Sequence, residues 1–530
     1  MLTAIVSQKA KEKPGHIAVI QGQRRITYGE LDARVARMAS FLVQNGIQKG
    51  DRIGVISKNS PEYIVAYLGI QRAGGIAVDI NFEASVNELK TILNQCGIAA
   101  LIVENNHIDA VSRAVGHAPT VRAIVGMERR ARGFSDVRKK IPAHIHYVVL
   151  DDITKGAYEA NAFPALTGHD IASIVYSSES SREAKGVTLS YDNIRASARS
   201  IMEYLRLDAK DKLMVVLPFS YAYGKSLLIT HLMAGATLVL ENSFLHPDSV
   251  LDRMVQEEVT GFAGVPSTFA ILLNRSHFRD YRFPNLRYVT QAGGAMPPNH
   301  TRELAALLPD ARIYIMYGQR EATAGLTCLA PDDLLKRPGS IGKAVPGVEV
   351  ELVREEQGGP AGDFDEGEIV ARGKNIMIGY WNNPEDTGKV LKDGRLFTGD
   401  IGRMDKDGYL YFVGRKSDRI KIGAHWVSPK EIEDIIHEMS EVHETSVVGI
   451  KDGIQGEAIR AVVAVKERYA LDREKVLEYC RGKLAPYKIP REVIFVDALP
   501  KSASGKIMRS ILKSKLAGSP ADALSRAVIV

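Results

Sequence analysis

Residues 28–80 read YGELDARVARMASFLVQNGIQKGDRIGVISKNSPEYIVAYLGIQRAGGIAVDI. From Tyr28 to Gln44 apolar residues recur at helical spacing, and Asn45-Gly46 supplies a helix stop. Arg52 to Ser57 is a short β-rich run. Ser60-Pro61 then opens a second helical stretch that ends at Gly74-Gly75, and Gly75 to Ile80 returns to strand. This alternation of strand and helix predicts a sheet covered by helices.

The same rhythm recurs between 171 and 325. Ile171–Tyr176, Leu213–Pro218, Thr237–Leu240, Leu286–Thr290 and Ile313–Met316 read as strands with helical segments between them. From about 340 the texture changes. Gly342–Val353, Gly367–Arg372 and Tyr409–Val413 read as short antiparallel strands joined by Gly-rich turns. A basic, strand-like stretch, GRKSDRIKIG at 414–423, precedes a final α/β segment. The main boundary therefore falls at 414–418. This divides the chain into an N-terminal domain at 1–414, a hinge at 415–418 and a C-terminal domain at 419–530.

The chain has 530 residues, 45% hydrophobic and 25% charged, which excludes disordered, collagen-like and coiled-coil classes. Its formal net charge of +6 is too dilute to argue a nucleic-acid partner and suits an anionic small molecule. Cys96, Cys328 and Cys480 lie far apart, with neither metal-ligand nor disulfide spacing, so a reducing cytoplasm is the expected location. No stretch approaches the ~18 apolar residues of a membrane span. The N-terminus has an apolar start followed by lysines, the reverse of a signal peptide. The basic tract at 129–140 reads as a solvated loop, with a patch for an anionic ligand as the alternative.

Four segments carry candidate chemistry. VYSSESSREAKGV (175–187) is a strand followed by a Ser-rich loop and Lys185-Gly186; its hydroxyls, backbone amides and lysine could hold phosphate oxygens. MYGQREA (316–322) places a tyrosine and a glutamate at a strand exit, suited to stacking a base and holding a cation. LFTGDIGRMDKDGYLYFVGRKSDRIK (396–421) offers Asp400 on a tight turn and a later Arg415; a carboxylate accepting from ribose hydroxyls is a common nucleotide device. LPKSASGKIMR (499–509) sets Lys506 on a Gly-containing loop. Each also has a plainer reading, Asp400 as a turn former and Lys506 as a solvated lysine.

Together, in this order and spacing, they resemble the AMP-forming ligase superfamily of acyl-CoA synthetases, peptide-synthetase adenylation domains and luciferases. Further matches are TYGEL, GSIGKAVPG (339–347), GYWNNPEDT (379–387), VSPKEIE (427–433) and PKSASGK. The resemblance runs from Thr27 to Lys506. It implies an α/β fold: a large N-terminal domain of layered α/β sheets with a small β-barrel-like subdomain, and a small mobile α+β C-terminal domain. It implies two steps: a carboxylate attacks the α-phosphate of Mg-ATP to give an acyl-adenylate, then the C-terminal domain rotates and a thiol displaces AMP. By position, Tyr317 resembles the adenine-stacking residue, with Gly318 beside it. Asp400 resembles the ribose ligand, with Arg415 in support. Glu321 matches the magnesium ligand, and Lys506 the lysine bridging carboxylate and phosphate. Ser177, Ser178 and Lys185 fall in the phosphate loop, and Ser417 at the hinge position.

The loop departs from the family pattern T-S-G-T-T-G-x-P-K-G. Both glycines are replaced, by Glu179 and Arg182, and the proline by Ala184. Glycines let such a loop adopt positive φ and approach phosphate closely. Two like charges ~4 Å apart at an effective dielectric of 20 repel by about 4 kcal/mol, so Glu179 opposes the triphosphate. The family's threonine in Y-G-x-T-E is Arg320, an arginine able to hold an adenylate phosphate or to crowd a triphosphate. Both departures fall on the pyrophosphate side, while the AMP side matches. Lys506 is the awkward residue, since a chain without adenylation has no need of it.

PFSYAYG (218–224) resembles the acyl-CoA ligase pattern, with Tyr221 at the aromatic gate. Ala222 stands where amino-acid-activating relatives have aspartate, which argues for a plain carboxylate. Gly293, Gly294 and Ala295 are expected to line the acyl and adenine pockets. Gly423 and Trp426 are expected to belong to the loop over the pantetheine tunnel, with His425 a structural residue. No carrier domain is fused to the C-terminus, so free CoA is the expected acceptor, with a separate carrier protein as the alternative. Three readings stand: a ligase making acyl-CoA mainly from preformed acyl-AMP, supplied by a separate adenylating enzyme; a complete synthetase using ATP and Mg2+; and a ligand-binding pseudoenzyme.

Overall fold

The TYGEL motif is a capping box. The Thr27 side chain accepts from the Glu30 backbone N–H at 3.2 Å, and the Glu30 carboxylate accepts from the Thr27 backbone N–H at 3.0 Å. It starts the helix Tyr28–Gln44, which buries Tyr28, Leu31, Val35, Met38 and Leu42 along one face. Ser60 caps the helix Pro61–Arg72, with proline at its first turn. These helices cross so closely that a Cβ on Gly69 would lie 2.6 Å from Met38 Cγ, which is why only glycine fits there.

In the computed structural model the described residues are 2–127, 138–156, 158, 162–176, 185–354, 366–422, 425–452, 456–466, 469–502, 505 and 507–517. Among the described residues up to Arg415, the strands form two large sheets. One has eight strands among the described residues, with Ile171–Tyr176 parallel to Ile76–Asp79 and antiparallel to Gly186–Ser190. The larger sheet has a parallel centre of Thr237–Leu240, Lys212–Val215, Gly261–Gly264, Tyr288–Gln291 and Arg312–Tyr317. Helices fill the space between the sheets. Ala222–Ala234, buried over nearly its whole length, is the central one, as expected for a helix that is apolar all round.

The antiparallel strands after 340 join the larger sheet edge to edge, through Thr327–Leu329, Ser340–Ala344 and Leu410–Arg415 to Arg395–Met404, Glu366–Gly373 and Val348–Val353. The run Gly342–Val353 is not one strand. Pro346-Gly347 breaks it with a turn closed by Val348 N–H to Val345 O at 3.1 Å, with Gly347 at φ +79°. Asp400 likewise sits inside the strand Arg395–Met404 and not on a tight turn. Gly399 at φ +71° makes a bulge opposite Ile369, and the strand continues past it.

Beyond the 3₁₀ turn Lys416–Asp418, five strands among the described residues form a sheet of their own, built around the hairpin Val442–Asp452 and Gly456–Val465. Arg509 ties this unit together by donating to both oxygens of Glu433, at 2.7 and 2.6 Å, while Glu433 also accepts from the Val447 N–H. Among the described residues no helix is long and apolar enough to cross a membrane.

Candidate active site

The bulge at Gly399 aims Asp400 back at the end of the strand Arg312–Tyr317. Tyr317 Oη donates to Asp400 Oδ2 at 2.7 Å. On the neighbouring strand Arg415 is the cross-strand partner of Asp400, its Nε 3.6 Å from Oδ1. Asp400 is 7% exposed, and its N–H is held by Thr398 Oγ1 at 3.1 Å. Burial, then the Asp400 charge, raises the Tyr317 hydroxyl well above its usual range, so it stays a neutral donor. Gly318 follows in a turn so tight that a Cβ would lie 1.7 Å from the Ala324 carbonyl oxygen. The Tyr317 ring also packs near Phe412, with centroids 6.3 Å apart.

Three residues on, a different arrangement begins. Arg320 Nε donates to Glu321 Oε1 at 3.3 Å, and Tyr380 Oη donates to the same oxygen at 3.1 Å. Burial, followed by Glu321, raises the Tyr380 hydroxyl above its ordinary value. Lys185 lies over the Tyr380 ring, 5.3 Å from its centroid, and pairs with Asp386 Oδ2 at 2.8 Å. That contact is the first cause holding Asp386 below the usual carboxylate range. The glutamate matched to a cation is thus already met by an arginine, and the lysine matched to phosphate by an aspartate. As arranged, Glu321 fits a magnesium ion poorly. The Tyr317–Asp400 pair, matched by motif to the nucleoside, sets a mostly buried carboxylate beside a neutral hydroxyl donor and an arginine.

Tyr221 caps the helix Ala222–Ala234, and Ala222 and Thr323 line one small cavity that joins this helix to the Glu321 segment. Gly293 takes φ +86°, and Gln291 Nε2 donates to the Gly294 carbonyl at 2.8 Å, leaving Gly294 and Ala295 exposed. Gly294 packs against Pro266, next to Ser267, whose Oγ donates to the Gly505 carbonyl at 3.1 Å. The chain beside Lys506 is therefore docked on the larger unit. Trp426 is 58% exposed beside Lys421, and His425 stacks on Tyr487. Ser417 is exposed and bonds to Asp418 at 3.2 Å.

Ser177, Ser178, Glu179, Arg182, Ala184, Gly423, Lys506 and most of the basic tract lie outside the described residues. Sequence reasoning missed Tyr380, Asp386 and Thr398. The first two stand in GYWNNPEDT, quoted only as a resemblance; the pairing of Gly379 and Tyr380 with Thr188 and Val187 that carries them to the site is visible only in the structure.

Against this geometry the comparisons are direct. The family of AMP-binding enzymes matches residues 6–381, and the AMP-binding enzyme C-terminal domain matches residues 431–506. A long-chain-fatty-acid–CoA ligase of Bacillus subtilis is 28% identical, over 96% of this chain and 93% of its own. Among solved structures, an anthranilate CoA ligase in complex with anthranoyl-AMP superposes with a TM-score of 0.88 at 25% identity, covering 97% of this chain and 96% of its own. ATP-bound MatB from Rhodopseudomonas palustris superposes at 0.86 with 29% identity, covering 98% and 99%.

Proposed function

The chain belongs to the AMP-binding enzyme family and is an acyl-CoA ligase working through an acyl-adenylate, and from that premise we propose that it makes acyl-CoA mainly from preformed acyl-AMP and CoA, with a slow ATP-dependent first step. One observation carries this reading. On the pyrophosphate side Glu179, Arg182 and Arg320 stand where the family has two glycines and a threonine, with Arg320 paired to Glu321 and Lys185 to Asp386, while Tyr317, Asp400 and Arg415 match the family on the AMP side.

In this mechanism the Tyr317 ring supports adenine next to Gly318, and Asp400 accepts from the ribose hydroxyls with Arg415 behind it. Arg320 turns from Glu321 to the adenylate phosphate and stabilises AMP as a leaving group through a charge-assisted bond. Tyr221 and Ala222, with Gly293, Gly294 and Ala295, border the acyl group. The CoA thiol adds to the acyl carbonyl carbon; the C–S bond forms, the C–O bond to phosphate breaks, and the thiol proton passes to solvent. A thiol needs little general-base help. Lys506, Ser177 and Ser178 belong to the ATP-dependent step.

The domains proposed are 1–414 and 419–530, turning about 415–418 with Ser417 at the pivot. Rotation is needed because Gly505 docks on Ser267 while Trp426 is exposed. Turning the smaller unit brings Gly423 and Trp426 over a pantetheine tunnel. The substrates proposed are a carboxylic acid or its adenylate, with a separate adenylating enzyme as supplier and free CoA as acceptor. CoA and AMP are the ligands required, with ATP and Mg2+ joining only where adenylation is retained.

The docking of Gly505 on Ser267, beside Pro266 and Gly294, also favours a second reading, a complete synthetase, because it joins the C-terminal unit to the larger one next to the expected acyl and adenine pocket. Pyrophosphate release from acid and ATP, set against thioester formation from synthetic acyl-AMP and CoA, separates the two.

A further inference from the structure

One turn into the central helix lies Lys225, 6% exposed. Its ammonium donates to Asp79 Oδ1 at 2.9 Å and to the Tyr63 hydroxyl at 2.5 Å. Tyr63 donates to the same carboxylate oxygen at 2.6 Å, and Ser173 to the other at 3.3 Å. A buried ion pair contributes little net stability over an apolar pair of equal volume. Packing alone therefore gives no reason for a lysine here.

This cluster closes one end of the cavity that Ala222 and Thr323 share, a space of about 20 Å³, room for roughly one water-sized group. Ala222 adjoins the gate Tyr221, and Thr323 lies two residues past Glu321, so the cavity abuts the acyl end of the site. Its side walls include Ile194 and Ile229. Two of the ammonium's three hydrogens are taken. Its nitrogen lies 3.7 Å from the centroid of the Tyr67 ring, whose hydroxyl is buried near Ser173 and Gln71 and makes no well-formed hydrogen bond.

We propose that Lys225 and Tyr67 form a polar floor to the acyl pocket, and that the acid this ligase takes is compact, with a neutral oxygen acceptor, carbonyl or hydroxyl, at the end remote from the activated carboxyl. The proposal rests on the ligase reading and deepens it. An alkyl terminus would leave two buried donors unpaired, whereas an oxygen satisfies them. A second carboxylate is disfavoured because Asp79 already neutralises Lys225, so its charge would be buried without a counter-ion. A long chain is disfavoured because the ion pair blocks the space beyond the floor.

The test uses the full chain and unreactive acyl-sulfamoyl adenosines of matched acyl length, ending in alkyl, hydroxyl, oxo or carboxylate, with AMP as control. Binding is measured by calorimetry, and thioester formation is followed with the matching acyl-adenylates. The hydroxyl- and oxo-ended analogues are expected to bind about 10²-fold more tightly than the alkyl-ended one. Tyr67→Phe is expected to lower that preference about tenfold. Lys225→Met combined with Asp79→Asn, which removes both charges together, is expected to abolish the preference and admit longer alkyl chains. Long alkyl analogues bound best by the unmodified chain would overturn the proposal. So would a preference unchanged in both variants when their thermal melts show them folded. If AMP binds but no acyl analogue binds better than AMP, the floor is refuted. If AMP and all analogues fail together, the ligase reading falls and the floor with it.

Discussion

The two ends of the nucleotide surface are built from similar residues in opposite ways. At the nucleoside end a buried carboxylate, Asp400, is backed by a tyrosine and an arginine that hold it as an acceptor. At the pyrophosphate end the carboxylate expected to meet a cation is met by Arg320, and the cation expected to meet phosphate is met by Asp386. Each carboxylate is met by one tyrosine and one arginine; the ends differ in that Arg320 stands where the family has threonine and that Lys185 is paired with Asp386. On the proposed reading, the end that matches the family serves thioester formation and the altered end slows adenylation.

The largest expected effect falls at the intact end. Asp400→Ala removes the acceptor for two ribose hydroxyls, each charge-assisted bond worth roughly 1.5–3 kcal/mol, and should weaken acyl-sulfamoyl-adenosine binding by about 10²–10⁴-fold. Calorimetry checks this, and unchanged affinity would reduce Asp400 to a structural residue. Next, Glu179→Gly and Arg182→Gly together with Arg320→Thr should raise acid-dependent pyrophosphate release from ATP. Restoring one oxyanion-type donor is worth about 10²–10³ in rate, and the chain's thioester step from acyl-AMP should change much less. No gain would mean that the pyrophosphate end is not what limits the ATP reaction.

A smaller effect concerns the docking of the C-terminal unit on the larger one, where Ser267 meets Gly505. His300 of the larger unit, 5% exposed, faces the half-buried His437, whose carbonyl accepts from Asn299 Nδ2 at 3.4 Å, with His443, Lys430, Lys466, Arg275, Lys501, Glu303 and Glu444 around the three histidines. Burial pushes His300 down to about 4 and His437 down to about 3, the latter with His300 as its next cause. Both are neutral when docked, so their contribution is complete above the free-histidine value near 6.5 and is lost as pH falls through the docked values. At pH 5 the buried His300 should cost docking roughly 2 kcal/mol, the more exposed His437 less. Limited proteolysis at 414–418 should therefore accelerate between pH 7 and pH 5 before the large unit melts, and His300→Gln should flatten that rise. The smallest effect is Tyr380→Phe. It removes one donor from Glu321, worth about 1 kcal/mol, and should raise ATP-dependent turnover only a few-fold.

Much of this molecule was legible in sequence. The helix Tyr28–Gln44 and the strand Ile171–Tyr176 have the bounds that periodicity alone predicts, because each buries one patterned face or a continuous apolar run. Tyr317, Asp400 and Arg415 were readable as a set from motif order. What could not be read is the pairing of groups far apart in the chain. Glu321 meets Tyr380 across 59 residues, and Lys225 meets Asp79 across 146. No local rule links such positions; only the stacking of the two sheets does. The Asp400 bulge escaped for a related reason, since Gly-Asp inside a strand and Gly-Asp in a turn share the same local chemistry.

The central claim is that adenylation, and not thioester formation, is the impaired half-reaction. The most direct measurement is the ratio of two rates on one preparation of the full chain, with one carboxylic acid and its own synthetic adenylate. The first rate is acyl-CoA formation from acyl-AMP and CoA; the second is pyrophosphate release from acid and Mg-ATP. The account predicts that the first exceeds the second by about 10² or more, from the loss of at least one phosphate-side donor. Equal rates would contradict it and leave a complete synthetase whose altered loop still binds triphosphate.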